Sequence, residues 1–323
     1  MNMRISRAYI DSIAIGLAFF IFSILFSNMY YSGDQIAYGY FYDNVSKFSF
    51  LDAVAFYKNS LDSQEPLYFI LVYLFSSLFD KNFLFSVINS ILASSIYLLL
   101  KKINVSKFII AMLGCNFYLY VLFFSAERLK VSFLFLVLSF LFDNKTLSRL
   151  SIFLSILTHV QTLLLILLAQ YKRFDNFLFR IKRLRMGYLN GDFIALILVF
   201  IFTCLFTMLM WGHLSNKVMY YYSNMSSVSA IIKPLIFTLI SIPYAKNKYQ
   251  ALFVGSTVML VSIFIGSERL VIFSYLIFLY YALSYNNGFN FWVVLTSAYF
   301  SVKGILFLMS IYYFGDGFVS LDF

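Results

Sequence analysis

The chain has 323 residues, of which 62% are hydrophobic and 12% charged, with a formal net charge of +10. Its mean hydropathy of +0.85 excludes an ordinary soluble domain. The longest polar stretch, roughly 31–65, leaves no room for a separate one, so residues 1–323 read as one transmembrane domain. The basic excess does not point to nucleic acid, because much of it is the charge signature of cytoplasmic loops.

Residues 8–28 form the first apolar span. Arg4 and Arg7 place its start in the cytoplasm, and without a small-residue cleavage site it reads as a retained helix. The loop 31–65 is then extracytoplasmic, with Asp34, Asp43, Asp52, Asp62 and Glu65 against Lys47 and Lys58. Its middle, Phe48–Tyr57, mixes apolar and polar residues and suits a helix lying on the membrane surface. If the loop is helical near its start, Asp34, Tyr38 and Tyr42 share one face.

Pro66–Phe79 is apolar but too short to cross. The next run, Phe83–Leu100, is a full span followed by Lys101, Lys102 and Lys107. Were both to cross, those lysines would lie outside. We therefore expect 66–79 to be a short or re-entrant helix with Pro66 in its first turn. Residues 108–125 return outward and 129–142 go back in, to Lys145 and Arg149. Between them lies Ser125-Ala126-Glu127-Arg128-Leu129-Lys130, a charge cluster between apolar runs that is costly in lipid and marks a candidate site.

The stretch 150–171 carries His159 near its centre and ends at Lys172 and Arg173, the start of a strongly basic cytoplasmic loop over 172–190. Both its flanks then face the cytoplasm. The expectation is two half-helices, or a re-entrant hairpin, with His159 near the turn. Further spans fall at about 193–213, 231–245, 251–266, 270–285 and 292–313, with Lys246 and Lys248 inside and the C-terminus outside. The expected fold is thus all-α and polytopic, with about nine to eleven transmembrane helices, one or two of them short or broken. A GT-C-like architecture is one arrangement this allows.

This topology gathers the only three glutamates, Glu65, Glu127 and Glu268, on the outer face together with Arg128 and Arg269. Gly266-Ser267-Glu268-Arg269-Leu270 is a near copy of the first cluster. Arginine offers paired donors that match phosphate oxygens, so Arg128 and Arg269, with Lys130, could hold a lipid diphosphate. Each could equally pair with its own glutamate or with headgroups. Asp34 taken alone suits a solvated loop acid, and Glu65 a charge favouring the dipole of the following helix. His159 could be a satisfied buried hydrogen-bonder, but a helix break beside it favours proton transfer or a sugar contact. Glu127 and Glu268 adjoin arginines that would depress their basicity, which favours His159 or Glu65 as base. Lys233 and Lys303 lie within spans, either snorkelling or lining a transport pathway. Cys115 and Cys204 lie in apolar runs and do not suggest a disulfide. No metal-ligand spacing or nucleotide-binding loop appears, so no cofactor is expected.

The set Asp34 and Tyr38, Glu65 and Pro66, Arg128, His159 and Arg269 resembles the EpsG-like and Wzy-type bacterial polysaccharide polymerases. Two departures are the bulky Leu129 and Lys130 after Arg128, and the lack of a long arginine-rich outer loop. The resemblance implies a multi-pass protein of the bacterial inner membrane. It would join polyprenyl (undecaprenyl) diphosphate-linked oligosaccharides into O-antigen, capsule or exopolysaccharide, releasing polyprenyl diphosphate. It implies catalytic roles for His159, Glu65, Arg128 and Arg269 and substrate contacts for Asp34 and Tyr38, to which the outer-face clusters add Glu127, Lys130 and Glu268 as substrate contacts. It also implies partners besides membrane lipid: a Wzz-type chain-length regulator and a Wzx-type flippase. Three rivals stand. They are a flippase for the lipid-linked sugar, a glycosyltransferase using polyprenyl monophosphate sugars, and a glycan acyltransferase.

Overall fold

The computed structural model describes residues 2–165, 201, 208, 215, 229–265 and 267–319, without the side chains of 2–6, 160, 229–230 and 263–269. All regular structure among them is helical. The chain divides into two compact units, Met1–Thr162 with Ala282–Phe323, and Leu163–Tyr281.

In the first unit α1 (Asn2–Met29) and α5 (Lys81–Lys102) run antiparallel. Small polar side chains stitch them: Ser94 Oγ donates to the Ser12 carbonyl (2.9 Å) and Ser90 Oγ to that of Gly16 (2.8 Å). Nearer the other end Asn89 Nδ2 donates to Ser23 Oγ (2.6 Å). Gly16 permits the approach, since a Cβ there would lie 2.2 Å from Ser94 Oγ. The last long helix, α13 (Phe291–Phe314), is parallel to α1. At one end the Gly315 carbonyl accepts from the amides of Tyr31 and Ser32 (3.2 and 3.1 Å), and at the other Ser106 N donates to Asn287 O (2.8 Å).

Between α1 and α5 come three short helices, α2 (Asp34–Val45), α3 (Phe50–Leu61) and α4 (Pro66–Phe75). The expected surface helix over Phe48–Tyr57 thus falls at α3, and Pro66 opens α4 at a position where its missing N–H costs nothing. Both ends of the α4 segment return to the same place. Glu65 is held by Arg128 and Lys81 by Glu127, adjacent residues at the start of α8 (Glu127–Leu141). The segment therefore leaves and re-enters one end of the bundle without crossing it.

The run 108–125, expected as one span, is broken within its length. It is α6 (Lys107–Gly114) and α7 (Phe117–Tyr120), the latter continuing into a π-turn, Val121–Ser125, with a bend of 52° between the halves. Asn116 causes the restart by capping α7, its side chain accepting from Tyr118 N (2.9 Å). α8 then runs parallel to α5, reaching Lys102 at its far end through Asp143 (3.2 Å). α9 (Lys145–Thr158) comes back alongside it and stops at His159, whose backbone is extended. The helix break expected near His159 is there; of the second half-helix expected beyond it, residues 166–171 lie outside the described residues.

In the second unit α10 (Ser229–Ser241) and α11 (Lys248–Ile265) form a hairpin around Gly255, where a Cβ would sit 2.2 Å from Thr238 Cγ2. α12 (Ser267–Ala282) packs on α10 through Phe237, Tyr275 and Phe278. Among the described residues three helices are long and apolar enough to cross a membrane, within Arg7–Met29, Lys81–Lys102 and Asn286–Phe314; the bent pair α6–α7 makes a fourth if it counts as one. The expected nine to eleven is not reached among these residues. α8 and α9 are too short by themselves, and much of 166–228, including the basic loop 172–190 and Cys204, lies outside them.

Candidate active site

The charge cluster lies at the start of α8, beneath α2 to α4. Glu127 and Arg128 are buried, 2% and 7% exposed, because the helices α2 to α4 fold over the charges.

Glu65 is the hub. It precedes α4, after a turn in which Asp62 adopts left-handed backbone at the end of α3. One carboxylate oxygen, Oε2, accepts from Arg128 Nη1 (2.7 Å) and Ser63 Oγ (2.8 Å). The other, Oε1, meets His159 Nδ1 at 2.5 Å. Ser63 in turn accepts from the Tyr57 hydroxyl (2.9 Å). Burial opposes ionisation of Glu65, but Arg128 and His159 together outweigh it and hold its carboxyl well below the usual range. Burial and the Glu65 charge push the Tyr57 hydroxyl up, so it remains a donor.

Arg128 uses Nε for the Tyr38 hydroxyl (3.2 Å) and Nη1 for Glu65, with its guanidinium 6.0 Å from the Tyr38 ring centre. Helix α2 delivers Tyr38 and leaves Asp34 exposed in its first turn. Asp34 is thus one turn from Tyr38 but on the solvent side. His159 completes the group from the break after α9. Its Nδ1 faces the carboxylate and its Nε2 faces the Gln161 side chain at 3.2 Å.

Glu127 pairs away from its neighbour Arg128. It accepts from Tyr68 (2.9 Å) and from Lys81 (3.2 Å), which also donates to Gln35 Oε1 (2.8 Å). Lys130 is not placed to meet a substrate: it is 2% exposed, and its ammonium donates to the Phe123 carbonyl. That contact has a structural cause. The π-turn and the break at Ala126 free the carbonyls of Phe123 and Phe124, and side chains from three helices satisfy them. Lys130 and Asn89 (3.0 Å) serve the first, and Gln35 (2.9 Å) the second. Glu268 and Arg269 belong to the first turn of α12 in the second unit, and their side chains lie outside the described residues.

Compared with family models, curated proteins and solved structures, the chain matches none. What the site can do must be read from its own chemistry. A carboxylate fixed in its ionised form orients an imidazole through Nδ1, leaving Nε2 as the ring nitrogen that can exchange a proton with a ligand. Among the described residues no three His, Cys, Asp or Glu side chains gather as a metal site requires.

Of the sequence-predicted residues, the structure brings together Glu65, Arg128, His159 and Tyr38, with Glu127 in the adjoining ion pair. It leaves Asp34 outside and Lys130 beneath. Sequence reading missed Lys81, Gln35, Tyr57, Ser63 and Tyr68. Lys81 comes directly after the helix-capping Asp80 and looks like an ordinary interfacial flank. The spacing Ser63-Gln64-Glu65-Pro66 was the one signal, a hydroxyl two residues before an acid fixed by proline.

Proposed function

We propose that this chain is a polytopic inner-membrane glycosyltransferase that joins polyprenyl diphosphate-linked oligosaccharide repeat units at the extracytoplasmic face. The observation that carries the reading is the Glu65–His159 pair, with Arg128 on the second carboxylate oxygen, at the end of the bundle where residues 31–65 and Gly315 meet. Helices long enough to cross a membrane, and the resemblance in Glu65, Arg128 and His159, support the substrate class.

In this reaction an acceptor sugar hydroxyl attacks the anomeric carbon of the donor. The carbon–oxygen bond to the diphosphate breaks, and the electron pair leaves with polyprenyl diphosphate. The hydroxyl proton passes to Nε2 of His159, and Glu65 stabilises the imidazolium that forms. Of the two bases the sequence left open, His159 is the better. Both Glu65 oxygens already accept hydrogen bonds, and its basicity is depressed. Arg128 then holds Glu65 ionised instead of meeting the diphosphate itself. Lys81, at the edge of the network with 14% of its side chain exposed, is a cation placed to do so. Arg269 enters through the sequence alone, and its alanine variant is a separate test.

The test is the surface glycan of cells carrying His159→Ala or Glu65→Gln, with membrane levels of the protein matched. Loss of the long ladder, with single repeat units still exported, is the expected result. An unchanged ladder in His159→Ala would remove the proposed base. Loss of even the single unit would favour a flippase.

A further inference from the structure

Behind His159 lies a cluster of hydroxyls that the proposed chemistry does not use. Ser132 on α8, Ser155 on α9 and Thr162 beyond the break are all fully buried. Ser132 Oγ donates to the Ser155 carbonyl (2.7 Å), and lies 2.9 Å from Ser155 Oγ and 3.2 Å from Thr162 Oγ1. Thr162 Oγ1 donates to the His159 carbonyl (2.6 Å) and is 3.4 Å from that of Ser155. Each hydroxyl has one proton, and one assignment uses all three: Thr162 to His159 O, Ser132 to Ser155 O, and Ser155 to Ser132 Oγ.

This cluster cannot exist in an unbroken helix. Positions seven apart on a continuous α-helix are separated by about 10.5 Å along its axis, so one serine could not touch both Ser155 and Thr162. Here the extended His159 and the 3₁₀ turn Val160–Thr162 fold the chain back, so that Thr162 reaches the Ser155 carbonyl. The hydroxyls add second donors to carbonyls that already take a backbone N–H at the break, His159 N on Ser155 O (3.1 Å) and Thr162 N on His159 O (3.2 Å), and so reinforce its geometry away from water. We infer that Ser132, Ser155 and Thr162 are positioning residues: they hold α9 broken at His159 and thereby set the imidazole on Glu65.

The inference rests on the proposed reading only for its effect on rate, so its test has a readout independent of activity. The chain has two histidines, and a His213→Asn background leaves His159 as the one imidazole visible by NMR in histidine-labelled protein in nanodiscs. The wild type should show a far-downfield, slowly exchanging Nδ1–H resonance, as a short bond to a carboxylate produces. Thr162→Val and Ser132→Ala should lose it, and Thr162→Ser should restore it. Ser148→Ala removes a hydroxyl bond of the same kind between α9 and α8, to the Ser139 carbonyl (2.8 Å), away from the break, and should leave the resonance in place. In turnover, Thr162→Val should lower kcat about tenfold or more with KM little changed. A resonance retained in both Thr162→Val and Ser132→Ala would overturn the inference. A resonance lost in them, in a protein whose His159→Ala variant remains active, would uphold the positioning and discard His159 as the base.

Discussion

Glu65 accepts from a guanidinium and a hydroxyl on one oxygen and meets an imidazole on the other. Its carboxyl is depressed in the folded state, so the stability it contributes is complete above its ordinary value of 4.5 and is lost as pH falls below that. Glu65→Gln should therefore be less stable than wild type at neutral pH and should lose part of the acid-side decline. Thermal unfolding of nanodisc-embedded protein between pH 7 and pH 3, roughly the window that linkage addresses, measures both. Arg128→Ala should cost about 3 kcal/mol or more, because it leaves a buried carboxylate without its cation. Arg128→Lys should recover only part of this, since an ammonium does not reproduce the guanidinium fork that spans Tyr38 and Glu65. Glu65, Arg128 and His159 were legible in the sequence because ionisable groups are rare and costly in so apolar a chain. Their mutual pairing was not, because Glu127 and Arg128 looked like natural partners and instead turn to Lys81 and Glu65.

At the scale of elements, hydropathy marked where apolar runs lie but not where they break. The short α4 was legible from its length, the lysines beyond the next span and Pro66. The break at His159 was legible from basic flanks on both sides. The bend between α6 and α7 was not, since Asn116 and Gly114 in an apolar run carry little signal. The bend matters because α13 packs against it through Gly304, where a Cβ would lie 2.0 Å from the Cys115 carbonyl oxygen. A backbone oxygen cannot move aside as a flexible side chain can. Gly304→Ala should lower the unfolding midpoint by several degrees, the shift that about 1–2 kcal/mol of overpacking produces. A midpoint equal to wild type would show that α13 does not depend on this contact.

For the whole molecule, the first unit makes one claim about sidedness. The network, the helices α2 to α4 and Gly315 share one end, while Lys102, Ser106, Asn287 and Asp143 share the other. In a Cys115→Ser, Cys204→Ser background, cysteines placed at Lys47 and Asp316 should react with an impermeant thiol reagent on intact cells. Cysteines at Asp143 and Asn286 should react only after permeabilisation. The most direct test of the proposed activity supplies purified protein in nanodiscs with a lipid-linked oligosaccharide isolated from cells lacking this chain, and tracks products by mass spectrometry. The expected result is growth by whole repeat units, one polyprenyl diphosphate released per bond formed, and neither from His159→Ala although it still binds the substrate. Elongation by His159→Ala at the wild-type rate, or binding of the substrate by the wild type without any bond formed, would contradict it.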